Sequence, residues 1–230
     1  RDVLGSRGLG DVYKRQAQDK VEASVGADFV SNYIWRGTDC GGVSIQPSMG
    51  VSYKGLSLTA WGSVGIDKED AREIDLTLGY NTGGFSVSVT DYWFSYHKED
   101  GGYTGDYFKY GAHSTVHIFE ATLGYDFGPL ALSWNTYFAG DDYTKENGDR
   151  AYSTYVGISA PFKLGGLDWS AEVGLTPWEG AYANKFNVTN LTLKAEKEIK
   201  FTNSFSLPTF AQVTFNPHTQ GAYFVFGVSF

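Results

Sequence analysis

Six carboxylates recur on the polar side of an alternating sequence: Asp28, Glu73, Asp75, Glu120, Asp168 and Glu172. Asn32, Arg36, Lys194 and Glu196 share their phase. Acidic groups gathered on one side of a set of strands have two uses. Around a wet lumen they favour cations and neutral solutes over anions. Paired with one another and with the few inward cations, they fill a narrow interior as a hydrophilic core. Covalent chemistry has thinner support. His117 falls on the apolar side of its strand, with Ser95 as the nearest hydroxyl, and no neighbouring strand offers an Asn or Gln to orient the imidazole of a triad. Two acidic loops, Asp100-Gly101-Gly102 through Asp106 and Asp141-Asp142 through Asp149, lack the ligand spacing of a calcium loop. There is no Cys/His metal cluster and no Gly-rich phosphate loop, so no enzyme activity, metal or cofactor is expected.

The elements that must position the inward set are strands. From Lys20 onward large apolar residues fall on every second position, the period of a strand with two unlike faces. Val21, Ala23, Val25, Ala27, Phe29, Tyr33 and Trp35 oppose Glu22, Asp28, Asn32 and Arg36 in the first strand, which is read as ending with Tyr33-Ile34-Trp35-Arg36-Gly37. The last strand, Ala222–Phe230, opposes Ala222, Phe224, Phe226, Val228 and Phe230 to Tyr223, Val225, Gly227 and Ser229. Between them ten further strands are predicted, giving twelve. Within the strand from Phe85, strict alternation places Asp91 among apolar neighbours. A bulge at Thr90-Asp91 is expected instead, turning Tyr92, Phe94 and Tyr96 outward and Ser95 inward.

Connections alternate in length. Gly-bearing turns such as Lys54-Gly55, Asn81–Gly84, Asp126–Pro129 and Lys163–Gly166 are short, whereas polar loops near 67–72, 97–113, 140–150 and 176–187 are long. Outward aromatics sort with them. Tyr53, Tyr80, Phe85, Tyr125, Phe162, Phe205 and Phe230 lie at the turn ends, and Trp35, Tyr92, Phe138, Tyr152 and Phe215 toward the loop ends. Two aromatic girdles around an apolar band, with short turns on one side and long loops on the other, are the pattern of a transmembrane barrel. The fold expected is all-β: a twelve-stranded antiparallel up-and-down β-barrel. The competing soluble β-sandwich has no reason to sort its connections this way.

Composition agrees. Gly 29, Pro 6 and 17% aromatic suit strands and tight turns. Mean hydropathy is −0.27, and no run approaches the ~18 apolar residues of a transmembrane helix. A net charge of −8 argues against nucleic acid as a partner. The single Cys40 excludes an intrachain disulfide framework.

Residues 1–16 fit nothing that follows. They are basic and lack both strand alternation and the apolar core of a signal peptide. They resemble translated adapter sequence and are set aside from the barrel, assigned to 20–230. Removing their four basic and two acidic residues changes the charge from −8 to −10. Residues 17–19 look like the end of a secretory signal whose body has been lost.

Three pieces of sequence carry a family resemblance: Tyr33-Ile34-Trp35-Arg36-Gly37, the strand ends Leu78-Gly79-Tyr80 and Leu123-Gly124-Tyr125, and the closing Ala222–Phe230. Together they resemble the TorF-type porins, and Asn216-Pro217 before the closing strand resembles small outer-membrane barrels of Bacteroides-type bacteria. The terminal Phe230 is similar to the signal read by the barrel-assembly machinery, which the resemblance implies as a partner through Ala222–Phe230. It further implies residence in the bacterial outer membrane, contact with its lipids, and a porin-like role without a named solute or catalytic residues. The expected function is passive diffusion of small neutral or cationic solutes through a narrow, net-acidic lumen. The alternatives are a non-conducting structural or adhesive barrel that works through its external loops, and a lipid hydrolase. The latter rests on the twelve-stranded outer-membrane phospholipase, whose His and Ser stand on the outer wall.

Overall fold

The computed structural model describes residues 20–98, 104–202 and 205–230. The expected leader at 1–16 and cleavage region at 17–19 lie outside the described residues, as does 100–103 of the first acidic loop. The strands are β1 (Glu22–Val30), β2 (Tyr33–Trp35), β3 (Thr38–Gly41), β4 (Ser44–Tyr53), β5 (Leu56–Gly65), β6 (Arg72–Thr82) and β7 (Phe85–Ser95). They continue as β8 (Ile118–Asp126), β9 (Ala131–Gly140), β10 (Thr154–Leu164), β11 (Leu167–Thr176), β12 (Asn187–Lys200), β13 (Ser206–Asn216) and β14 (Gly221–Ser229).

Twelve of them form one closed antiparallel barrel, each strand pairing with its neighbours in sequence, and β2–β3 is a separate two-stranded hairpin. Closure is made by β1 on β14, in the register Asp28↔Ser229, Phe29↔Val228 and Val30↔Gly227. Closing the ring removes the edges that an apolar closing strand would otherwise expose. The short turns form because their residues accept positive φ. Lys54-Gly55, Gly83-Gly84 and Gly165-Gly166 are left-handed at both central positions, the backbone of a type I′ hairpin.

Burial follows the alternation but is inverted relative to a water-soluble domain. Val25 is 83% exposed, and Leu58, Leu78, Leu123 and Phe224 are likewise exposed on the outer wall, while Glu120 is 1% exposed and Asp28, Gln46, Glu73, Asp75 and Asn135 are buried inside. The apolar outer surface is continuous, well beyond the scattered apolar patches of a water-soluble monomer. Tyr53, Tyr80, Phe85, Tyr125, Phe162, Phe205 and Phe230 are exposed as expected of a girdle, as are Phe138, Tyr152 and Phe215 at the loop end.

The structure corrects three expectations. The first wall strand ends at Val30, and Tyr33 and Trp35 belong to the hairpin inside the barrel. Tyr92 is also inside, so neither Trp35 nor Tyr92 belongs to the loop-end girdle. Thirdly, there is no bulge at Thr90-Asp91. β7 pairs with β6 without interruption from Phe85 to Ser95, and Thr77↔Thr90 and Leu76↔Asp91 keep the phase. Thr90 and Tyr92 therefore face inward, while Asp91, Trp93 and Ser95 share the outward phase of Val87 and Val89. Asp91 is tolerated outside because residues 104–117 fold over it and supply a partner. Register shifts in the described barrel wall fall elsewhere, at Phe119/Glu120 and Gly174/Leu175, and one more lies in the hairpin at Tyr33/Ile34.

Candidate functional site

The chain leaves the wall after Val30, with the Ser31 amide donating to the Phe226 carbonyl at 2.8 Å, and turns back into the lumen. The turn is Arg36-Gly37, at φ 51° and 78°, between the paired Trp35 and Thr38. These are the left-handed values of a type I′ turn, with Arg where Asn or Gly usually stands. The tip is seated against β12 and β13, two to three strands round the ring from β1. Asn216 Nδ2 donates to the Gly37 carbonyl at 3.0 Å, and a Cβ on residue 37 would stand 1.9 Å from the Thr189 carbonyl oxygen. Only glycine fits there. The base is tied down as well: the Gly42 amide reaches both Asp70 carboxylate oxygens at 3.3 Å, and Tyr33 packs on Trp61 with ring centroids 5.6 Å apart.

So placed, Arg36 meets Glu120 on β8. Nη1 donates to Oε2 at 2.5 Å and Nη2 to Oε1 at 2.9 Å, a two-pronged pair that fixes orientation as well as charge. Tyr92 donates its hydroxyl to the same Oε1 at 2.9 Å. From the loop at 177–186, Tyr182 accepts from Arg36 Nη1 at 2.6 Å and donates to the Tyr137 hydroxyl at 3.1 Å. Burial pushes the Tyr182 hydroxyl up to about 12 against the downward pull of Arg36, so it keeps the proton that it donates. The guanidinium carbon lies 4.3 Å from the Trp35 ring centroid, 4.7 Å from Tyr155 and 5.8 Å from Tyr182.

A second polar group lies beside the first. Tyr155 donates to Glu172 at 2.5 Å, and Asn190 Nδ2 reaches the Tyr155 hydroxyl at 3.0 Å and Glu172 at 3.1 Å. Gly174 makes room for the tyrosine; a Cβ there would stand 2.0 Å from its hydroxyl oxygen. Toward the turn end, Lys194 pairs with Glu196 at 2.5 Å and covers the Phe210 ring at 4.5 Å.

Of the residues read as lumen-lining, Asp28, Glu73, Asp75, Glu120 and Lys194 are buried inside the barrel, and Glu172 is half-buried there. Arg36 is inside too, but on the hairpin tip and not on the wall. Asn32 lies in the bend that leads into the hairpin. Asp168 and Glu196 have the inward phase but sit at the turn-end rim, register partners of each other across β11 and β12. The Asp168 side chain is 64% exposed and pairs with Lys163. Alternation along a strand marks a face and not a depth, so two rim residues share the phase of the lumen.

Alternation does not mark the aromatic enclosure of Arg36, made by Trp35, Tyr92, Tyr137, Tyr155 and Tyr182. One signal pointed to it: an Xaa-Gly dipeptide between short β-prone runs, Tyr33-Ile34-Trp35 and Thr38, is a hairpin sign.

Beside the hairpin lies a cavity of about 510 Å³, lined in part by Asp39, Glu69, Asp70 and Glu73 and sharing Trp35, Tyr137 and Tyr182 with the Arg36 site. No group of three or more His, Cys, Asp or Glu suited to a metal occurs among the described residues. On the outer wall, His117 is fully buried beneath the loop at 104–116. Its Nδ1 lies 2.6 Å from Asp91 Oδ1 and its Nε2 lies 2.7 Å from the Tyr107 carbonyl, while Ser95 Oγ donates to the Thr104 carbonyl at 2.5 Å. Both imidazole nitrogens are thus engaged by Asp91 and the backbone, in an arrangement that pins the loop.

No protein-family model matches the chain, and no curated protein matches it. Among solved structures it is similar to BamA from Haemophilus ducreyi lacking POTRA domains 1–3, with 12% identity and a TM-score of 0.38 over 84% of this chain and 41% of that one. It is also similar to CdiB from Acinetobacter baumannii, with 13% identity and a TM-score of 0.42 over 93% of this chain and 60% of that one. The chain thus spans less than two thirds of the length of either neighbour, and function has to be argued from this barrel's own side chains.

Proposed function

We propose that the chain is an outer-membrane barrel acting as a narrow porin-like channel for small neutral or cationic solutes, held closed by its own hairpin. The observation that carries this reading is the inward clustering of Asp28, Glu73, Asp75, Glu120 and Glu172 inside a wall whose outer face is apolar. Carboxylates in a confined, low-dielectric passage attract cations and repel anions. The hairpin crosses this passage, so conduction requires its tip to leave Glu120. The apolar belt and the girdles of Tyr and Phe support outer-membrane residence. Insertion by the barrel-assembly machinery through Ala222–Phe230 belongs to the same reading. The protein is not an enzyme on this account: His117 and Asp91 serve to fasten a loop.

Purified protein in planar bilayers tests the channel. Small, brief current steps are expected, with a reversal potential on the cation side under a salt gradient. Folded, heat-modifiable barrels that never conduct would contradict it. The same hairpin favours a second reading, a structural or adhesive barrel with a sealed interior. Deleting residues 104–116 separates the two, since a channel keeps its current and an adhesin loses its partner.

A further inference from the structure

The site that holds Arg36 has the parts of a receptor for a small organic cation, and the chain's own guanidinium fills it. Glu120 supplies both carboxylate oxygens, Tyr182 supplies a hydroxyl oxygen, and the ring of Tyr155 lies over the guanidinium. A carboxylate combined with aromatic faces is what a desolvated organic cation needs. The receptor and its occupant differ in how they are held. Glu120, Tyr92, Tyr137 and Tyr155 stand on barrel strands, whereas Arg36 is carried on a hairpin tip in the left-handed region, at φ 51°, which a residue with a side chain enters at a cost.

Charge decides what can replace it. Glu120 is 1% exposed, and a buried carboxylate that loses its cation is strongly disfavoured. The tip therefore leaves readily only when another cation arrives. The two-pronged carboxylate contact and the surrounding rings fit a flat guanidinium better than a spherical ion. A cavity lined by Asp39, Glu69, Asp70 and Glu73 shares Trp35 and Tyr182 with the site, and its carboxylates attract cations to its neighbourhood.

We propose that Arg36 is a tethered stand-in for the solute, and that a guanidinium-bearing solute takes its place on Glu120 among Tyr92, Tyr137, Tyr155 and Tyr182. The biological use of such a site rests on the channel reading, but the binding itself can be tested without it.

The test is calorimetric titration of the full chain in detergent with methylguanidinium, against potassium chloride at equal ionic strength. The variants are Arg36→Gly and, should that one not fold, Arg36→Asn, since Asn also tolerates the left-handed backbone; heat-modifiable migration verifies folding. Saturable binding to the Arg36 variant is expected, weakened by about ten-fold or more when Glu120→Gln is added. The unaltered protein should bind at least about ten-fold more weakly than the Arg36 variant, because its own arginine must first leave. Absence of saturable binding by the folded variant, or binding that Glu120→Gln does not weaken, overturns the proposal. A barrel that binds methylguanidinium in this way but never conducts leaves the proposal standing and removes the channel reading.

Discussion

Arg36 and Glu120, 84 residues apart in sequence, meet inside the barrel through two parallel hydrogen bonds of 2.5 and 2.9 Å. One partner belongs to the wall and the other to a hairpin that the wall encloses, so the pair couples the seating of the hairpin to the stability of the barrel. Glu120→Gln leaves a buried guanidinium without its counter-charge, and breaking a buried pair from one side costs about 3–5 kcal/mol. Urea unfolding in detergent should show a loss of that order. Changing both sides, as Arg36→Met with Glu120→Leu, should cost less than the single change, because no charge is left alone. A double variant less stable than Glu120→Gln would contradict the pairing.

The tip should respond to a single methyl group. Gly37 combines φ +78° with the Thr189 carbonyl 1.9 Å from where a Cβ would stand, so Gly37→Ala must lift the tip from its seat. Strain of this kind is worth about 1–3 kcal/mol. The variant should fold, lose part of its urea stability and carry a larger mean current in bilayers. Stability and current both unchanged would mean that the tip is not seated as described.

The period-two pattern made the barrel legible before its structure was known. Val25, Leu58, Leu78 and Phe224 fell in one phase and Asp28, Glu73, Asp75 and Glu120 in the other, and the wall obeys that division. Illegible was where a strand stops being wall. Tyr33 and Trp35 continue the apolar phase of β1 in the sequence, although the chain has already left the wall at Val30. What diverts them is the Arg36-Gly37 turn, whose partners Glu120, Thr189 and Asn216 lie far away in sequence. Asp91 failed for the complementary reason. A carboxylate on an apolar face reads as a fault in register, until a loop 26 residues later brings His117 to within 2.6 Å.

That loop gives a third prediction. Asp91→Asn removes a charge-assisted hydrogen bond, worth about 1.5–3 kcal/mol, from the contact that fastens 104–116 to the wall. Trypsin added to the folded protein should then cut at Lys109 several-fold faster, with the barrel itself still heat-modifiable. An unchanged rate of cleavage would mean that the loop is held by other contacts.

Gly174→Ala tests how closely the lumen is packed. The new methyl would stand 2.0 Å from the Tyr155 hydroxyl, driving the ring away from Glu172 and Arg36. Overpacking costs about 1–3 kcal/mol and should appear as an earlier urea midpoint. A midpoint equal to that of the unaltered protein would contradict the placement of Tyr155.

The central claim, that the Arg36 hairpin closes a cation-preferring passage, is tested most directly by comparing Arg36→Gly with the unaltered protein in the same planar bilayer under a potassium chloride gradient. Glycine keeps the left-handed turn while removing the tether to Glu120, so the account predicts a several-fold rise in mean current with the reversal potential still on the cation side. A folded Arg36→Gly barrel that conducts no better than the unaltered one, or that turns anion-selective, would contradict it.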